Sequence, residues 1–133
     1  MSQLIRDETG AQRLLGYVLD VARGDGRAAC SLDLGPQHLN RTGILHGGIA
    51  TAMLDNAMGA TASLTVDETG RHPFSTITLT VNFLAPGRPG RIEALGQVTG
   101  GGRSTLFLDG VLTHQDGTVI ARATGVFRKT RQG

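Results

Sequence analysis

Apolar positions along this chain follow more than one rhythm. Over residues 75–86 (STITLTVNFLAP) they alternate, with Ile77, Leu79, Val81 and Phe83 on one side and Thr76, Thr78, Thr80 and Asn82 on the other. That is the period of a strand with one buried face. Partial alternation and turn boundaries predict further strands at 14–23, 27–35, 91–99, 104–115 and 118–130. The boundaries are Gly24-Asp25-Gly26, the break from Pro86 to Gly90, Gly100-Gly101-Gly102, and the hairpin signal Asp116-Gly117. Residues 1–12 read as a short amphipathic helix anchored by Leu4 and Ile5.

Residues 40–66 (NRTGILHGGIATAMLDNAMGATASLTV) break both patterns. Small and apolar residues cover every face, and Asp55 is the only charged residue between 48 and 64. A helix apolar nearly all round is surrounded by its own protein, which predicts a central helix over 46–65. The expected order is two strands, a long helix, then four strands joined by short turns. This is an α+β arrangement in which a six-stranded, mainly antiparallel sheet wraps the helix, the hotdog fold. The 133 residues suit a single domain.

An aspartate in such a helix needs a reason, because an unpaired carboxylate in a dry site is expensive. The helix start supplies a second clue. Its first amides lack intrahelical partners, and Gly47 and Gly48 carry no side chain to block a polarised oxygen from docking there. Asp55 lies eight residues past Gly47, on the order of 10 Å along the axis. One chain's Asp55 therefore cannot act on a carbonyl held at its own helix start. If the two serve one bond, an antiparallel second copy supplies one of them, and the site lies at a dimer interface.

Composition narrows the alternatives. Hydrophobic residues at 39%, charged residues at 18% and a net charge of +2 describe an ordinary soluble protein. Nucleic acid is not an expected partner, since no basic run occurs and tryptophan is absent. A membrane span over 40–66 is opposed by Asp55, at a cost of roughly 3 kcal/mol. The first dozen residues have no apolar signal region, and the single cysteine excludes an internal disulfide, so a cytoplasmic setting is expected. The four histidines are scattered without zinc-site spacing, so no metal is expected. Gly24-x-Gly26-x-x-Ala29 imitates a dinucleotide fingerprint but precedes a strand rather than a helix. Arginines concentrated in the second half, among them Arg88 and Arg103, suit the phosphates of a small ligand.

Asn40, Gly43, His46, Gly47, Gly48 and Asp55 form the pattern N-x-x-G-x-x-H-G-G-x-x-x-x-x-x-D. It resembles the signature of the hotdog thioesterases of the phenylacetate-pathway (PaaI-like) type, and LTVNFLAPG and DGTVIARATGVFRK are similar to that family too. The resemblance implies hydrolysis of acyl-CoA in a homodimer, commonly paired into a homotetramer, with no cofactor beyond the substrate's own CoA. It implies that the Gly47 amide and Asn40 side chain hold the thioester carbonyl. Asp55 of the neighbouring chain then activates water or attacks directly, and His46 orients the loop or contacts the thioester. Thr76, or Ser75 beside it, would place the water. Gly102, Arg103 and Ser104 would lie near pantetheine or phosphate, with Arg88 reaching the nucleotide end. A non-catalytic acyl-CoA-binding module and a hotdog dehydratase or hydratase are the rival readings.

Overall fold

The computed structural model describes residues 4–131. Its elements are β1 (Leu4–Ile5), α1 (Gly10–Leu15), β2 (Val18–Asp20), β3 (Ala29–Asp33), α2 (Gly47–Leu64), β4 (Phe74–Phe83), β5 (Arg91–Gly101), β6 (Thr105–His114) and β7 (Val119–Lys129). The strands form one sheet in the order β1-β2-β3-β5-β6-β7-β4, with every neighbouring pair antiparallel.

Helix α2 lies across the sheet's inner face, where Leu106, Leu108 and Leu112 of β6 and Ala121, Ala123 and Phe127 of β7 point inward at every second position. Met53, Leu54 and Met58 are fully buried against them. Each such side chain contributes about 1.5–3 kcal/mol. The close approach depends on Gly96, which pairs with Gly110 across β5 and β6. A Cβ on Gly96 would stand 2.8 Å from the Ala57 carbonyl oxygen.

Three expectations are corrected. The sheet has seven strands, not six, because Leu4–Ile5 pairs with Leu19 and Asp20 where the helix over 1–12 was expected. The first three residues of that expected helix lie outside the described residues. The helix forms later, capped by Thr9 Oγ1, which accepts from the Gln12 N–H at 3.1 Å, and closed by Gly16 at φ 84°. That shift takes Leu14 and Leu15 into α1 and trims the first expected strand to Val18–Asp20. Gln12 stabilises the arrangement from inside, donating to the Ile5 and Tyr17 carbonyls at 2.8 and 3.1 Å.

The second correction concerns β4, which does not turn back on β5 but lies at the sheet edge against β7. Residues 84–90 carry the chain across. Their polar groups are met by Ile120, whose carbonyl accepts from Leu84, by Leu45, which donates to Gly87, and by Leu34, which donates to Gly90. The third is local. A bulge between Thr76 and Thr78 shifts the register of β4, so Thr76 faces the helix together with Leu79 and Val81 rather than opposite them.

Candidate active site

The loop before α2 is built from short-range hydrogen bonds. Gly43 takes φ 76°, a left-handed conformation that glycine adopts without strain, and its N–H donates to the Asn40 carbonyl. Asn40 Oδ1 accepts from Thr42 N–H at 3.0 Å, Thr42 Oγ1 at 2.8 Å and Ile44 N–H at 3.3 Å. Two backbone donors on one side-chain atom fix it as the oxygen, so the exposed Nδ2 of Asn40 is the outward donor.

His46 caps the helix. Its Nδ1 accepts from the Gly48 N–H at 2.9 Å, and its carbonyl accepts from Ile49 and Ala50. An accepting Nδ1 places the proton of the neutral ring on Nε2, which faces outward from an exposed side chain. With the next three amides occupied, the Gly47 N–H has no acceptor among the described residues. Gly47 lines an apolar cavity of about 420 Å³ with Phe83, Leu84 and Ile120, while Asn40 and His46 share a neighbouring depression.

Asp55 sits half-buried two turns further along α2. Its Oδ1 accepts a 2.6 Å hydrogen bond from Thr76 Oγ1, made possible by the β4 bulge. Ser75, the adjacent expected choice, instead faces Thr130 at 3.1 Å. Asp55 and Thr76 line a second cavity of about 320 Å³ with Gly59, Ser63, His72 and Phe74. Next to Asp55, Asn56 accepts from the Tyr17 hydroxyl at 3.0 Å and donates to the Ala52 carbonyl. Burial holds the Tyr17 phenol above its ordinary pKa, so it remains a donor through neutral pH.

The expected residues thus fall into two groups at opposite ends of β4. Asn40, His46, Gly47 and Gly48 lie by Phe83, with Arg88 exposed on the nearby crossover. Asp55 lies by Thr76. The exposed turn carrying Gly102, Arg103 and Ser104 is at that same end, since Ser104 accepts from Lys129, the partner of Phe74. Thr76 and Phe83 are seven residues apart, about 20 Å along a strand. Within one chain the groups do not meet.

Ser63, His72, Asn56 and Tyr17 were not anticipated at the site. For Ser63 the signal that could have found it is the i, i+4, i+8 spacing of Asp55, Gly59 and Ser63 on one helix face. Cys30 is buried, with its thiol pushed up by that burial. Among the described residues no three His, Cys, Asp or Glu side chains gather into a metal-holding group. Nor is any described helix long and apolar enough to cross a membrane.

An antiparallel sheet wrapped around one buried helix, with a free amide at the helix start and a lone carboxylate two turns on, defines a hotdog protein. The chain belongs to the thioesterase superfamily, whose family model matches residues 42–121. Human acyl-coenzyme A thioesterase 13 (Homo sapiens) is 27% identical over 113 residues, 84% of this chain and 79% of that protein. A Bacillus halodurans protein whose crystal structure was determined with CoA superposes with a TM-score of 0.84 at 26% identity, covering 97% of this chain and 83% of that one. The PaaI protein from the phenylacetic acid degradation operon of E. coli superposes at 0.77 with 22% identity, covering 94% and 87%, a likeness of fold alone.

Proposed function

We propose that this protein hydrolyses acyl-CoA thioesters in the cytoplasm, at sites shared between two chains. The observation that carries the reading is the Asp55 carboxylate, fixed by Thr76 at the wall of a cavity and separated from the free Gly47 amide of its own helix. Superfamily membership and the names of the relatives support the same chemistry.

Strand β4 is ten residues long, lies at the sheet edge and carries neither charge nor proline. Ile77 and Phe83 are more than half exposed on it. An edge of that kind is a template for pairing. Antiparallel pairing with a second β4 about a point near Leu79 and Thr80 sets Thr76 of one chain against Phe83 of the other. Asp55 then approaches the partner's Gly47, and the turn at 102–104 approaches the partner's Arg88. Dimers pair further into a tetramer, a step favoured by Phe107, half exposed on the outer face of β6.

In this site the thioester carbonyl accepts from the Gly47 N–H and Asn40 Nδ2 of one chain. Thr76 occupies one oxygen of Asp55 in the other chain, leaving Oδ2 to take a proton from water as that water attacks the carbonyl carbon. The negative charge formed on the carbonyl oxygen rests on the two donors. Collapse breaks the carbon–sulfur bond, and the CoA thiolate recovers the proton from Asp55. Direct attack by Asp55, giving an anhydride that water then opens, uses the same geometry. His46 Nε2–H faces the leaving sulfur, and Gly48 holds that ring in place through its amide. Arg88, Gly102, Arg103 and Ser104 bind the pantetheine and phosphates. No cofactor enters beyond the CoA of the substrate.

Thiol release from a panel of acyl-CoAs tests the reading. Asp55→Asn and Asp55→Ala are expected to lose about 10²–10⁴-fold in kcat. Undiminished turnover in both removes Asp55 from the mechanism. Affinity for acyl-CoA without hydrolysis of any ester favours the binding module, and hydration of an enoyl-CoA favours the hydratase.

A further inference from the structure

His38 is a buried histidine for which the mechanism above has no use. It is 1% exposed and ends the single 3-10 turn Pro36–His38 between β3 and α2. Both ring nitrogens are engaged. Nδ1 lies 2.9 Å from the Gly35 amide nitrogen, which can only donate, and Nε2 lies 2.7 Å from the Leu15 carbonyl oxygen, which can only accept. These partners fix one neutral tautomer, with the proton on Nε2. Leu15 is the last residue of α1, so the ring takes up one of the carbonyls that a helix end leaves free. The main chain of His38 reaches the other way. Its carbonyl accepts from the His46 N–H at 2.9 Å, closing residues 38–46 into a loop whose root is this bond. Inside the loop Leu39 bridges Leu45, and the Asn40 N–H donates to the Ile44 carbonyl at 2.8 Å.

We infer that His38 is a positioning residue for the carbonyl-holding site, setting the separation of the Asn40 and Gly47 donors. The inference rests on the thioesterase reading above. Asn40 stands two residues after His38 and Gly47 one residue after His46, so the His38–His46 bond joins the bases of both donors. The ring cannot turn without stranding its own two nitrogens in the interior. It thereby ties the loop root to the end of α1 and to Gly35. A fixed pair of donors matters because an oxyanion is stabilised only by groups already in place as its charge develops. A displacement of about 1 Å is enough to cost about 10²-fold in rate. Loss of the ring contacts frees the loop root and leaves Asp55 and Thr76 on their own elements, so the effect falls on kcat.

Thiol release by His38→Phe, which keeps a planar ring and loses both bonds, tests this beside His38→Asn and His38→Gln, each able to keep one of them. His38→Phe is expected to lose about 10–100-fold in kcat with KM within about twofold of wild type, and the Asn and Gln variants to recover part of that loss. The carbonyl stretch of an acyl-CoA bound to the Asp55→Asn protein supplies a readout that a purely structural histidine would not move. It is expected to lie below that of free acyl-CoA, because the two donors polarise the carbonyl. Adding His38→Phe, or His38→Gln if the Phe chain does not fold, is expected to return it toward the free value. An unchanged kcat, or a loss of kcat with the stretch unmoved, overturns the inference and leaves the thioesterase reading standing. Failure of the wild type to hydrolyse any ester overturns both.

Discussion

The Asp55 carboxylate accepts one short hydrogen bond from Thr76. In the proposed mechanism that contact aims the carboxylate without blocking its second oxygen, so its effect would fall on kcat more than on binding. Thr76→Val keeps the shape and removes the donor. It is expected to lower kcat about 10–100-fold with little change in KM, and an unchanged kcat would remove Thr76 from a positioning role. Asn40, His46, Gly47, Gly48 and Asp55 could be singled out as letters because the pattern they form depends on local spacing along a loop and one helix. Thr76 was legible only as a hydroxyl near the right place, since the bulge that turns it toward Asp55 appears in no alternation pattern. His72 and Ser63 line one cavity although they lie on different segments, a proximity that neither residue's neighbours in sequence encode.

Among the elements, α2 was the most legible, because a run apolar on all sides has to be enclosed. Its observed bounds, Gly47–Leu64, fall within one residue of the expected 46–65. The strands of the second half were legible from their turns, but the neighbour of β4 was not. Residues 84–90 resemble a reversal in composition and act as a crossover, because β3 and β6 take both edges of β5 and the free edge of β7 is left for β4. At the N-terminus, Thr9 and Gly16 carried the true helix boundaries, whereas Leu4 and Ile5, taken as helical anchors, extend into a strand beside β2. The seat of α2 makes a prediction of its own. Gly96→Ala drives a Cβ against the Ala57 carbonyl oxygen at 2.8 Å and Thr61 Oγ1 at 2.5 Å. Neither the helix backbone nor the paired β5 and β6 moves freely, so the variant is expected to lose about 1–3 kcal/mol in denaturant unfolding. A stability equal to wild type would mean that α2 sits further from the sheet.

At the scale of the whole molecule, the two groups of expected residues stand about 20 Å apart along β4, and the proposed mechanism needs two copies to bring them together. The uncharged edge of β4 and the partition of Asn40 from Asp55 point to the same two-fold arrangement. Co-expression of an Asp55→Asn chain with an Asn40→Ala chain measures this directly. Each homodimer carries only damaged sites, but each mixed dimer rebuilds one intact site from the undamaged half of either chain. Statistical mixing is expected to restore about a quarter of the wild-type rate. Mixed dimers no more active than the two separate variants would contradict a shared site and place the whole reaction within a single chain.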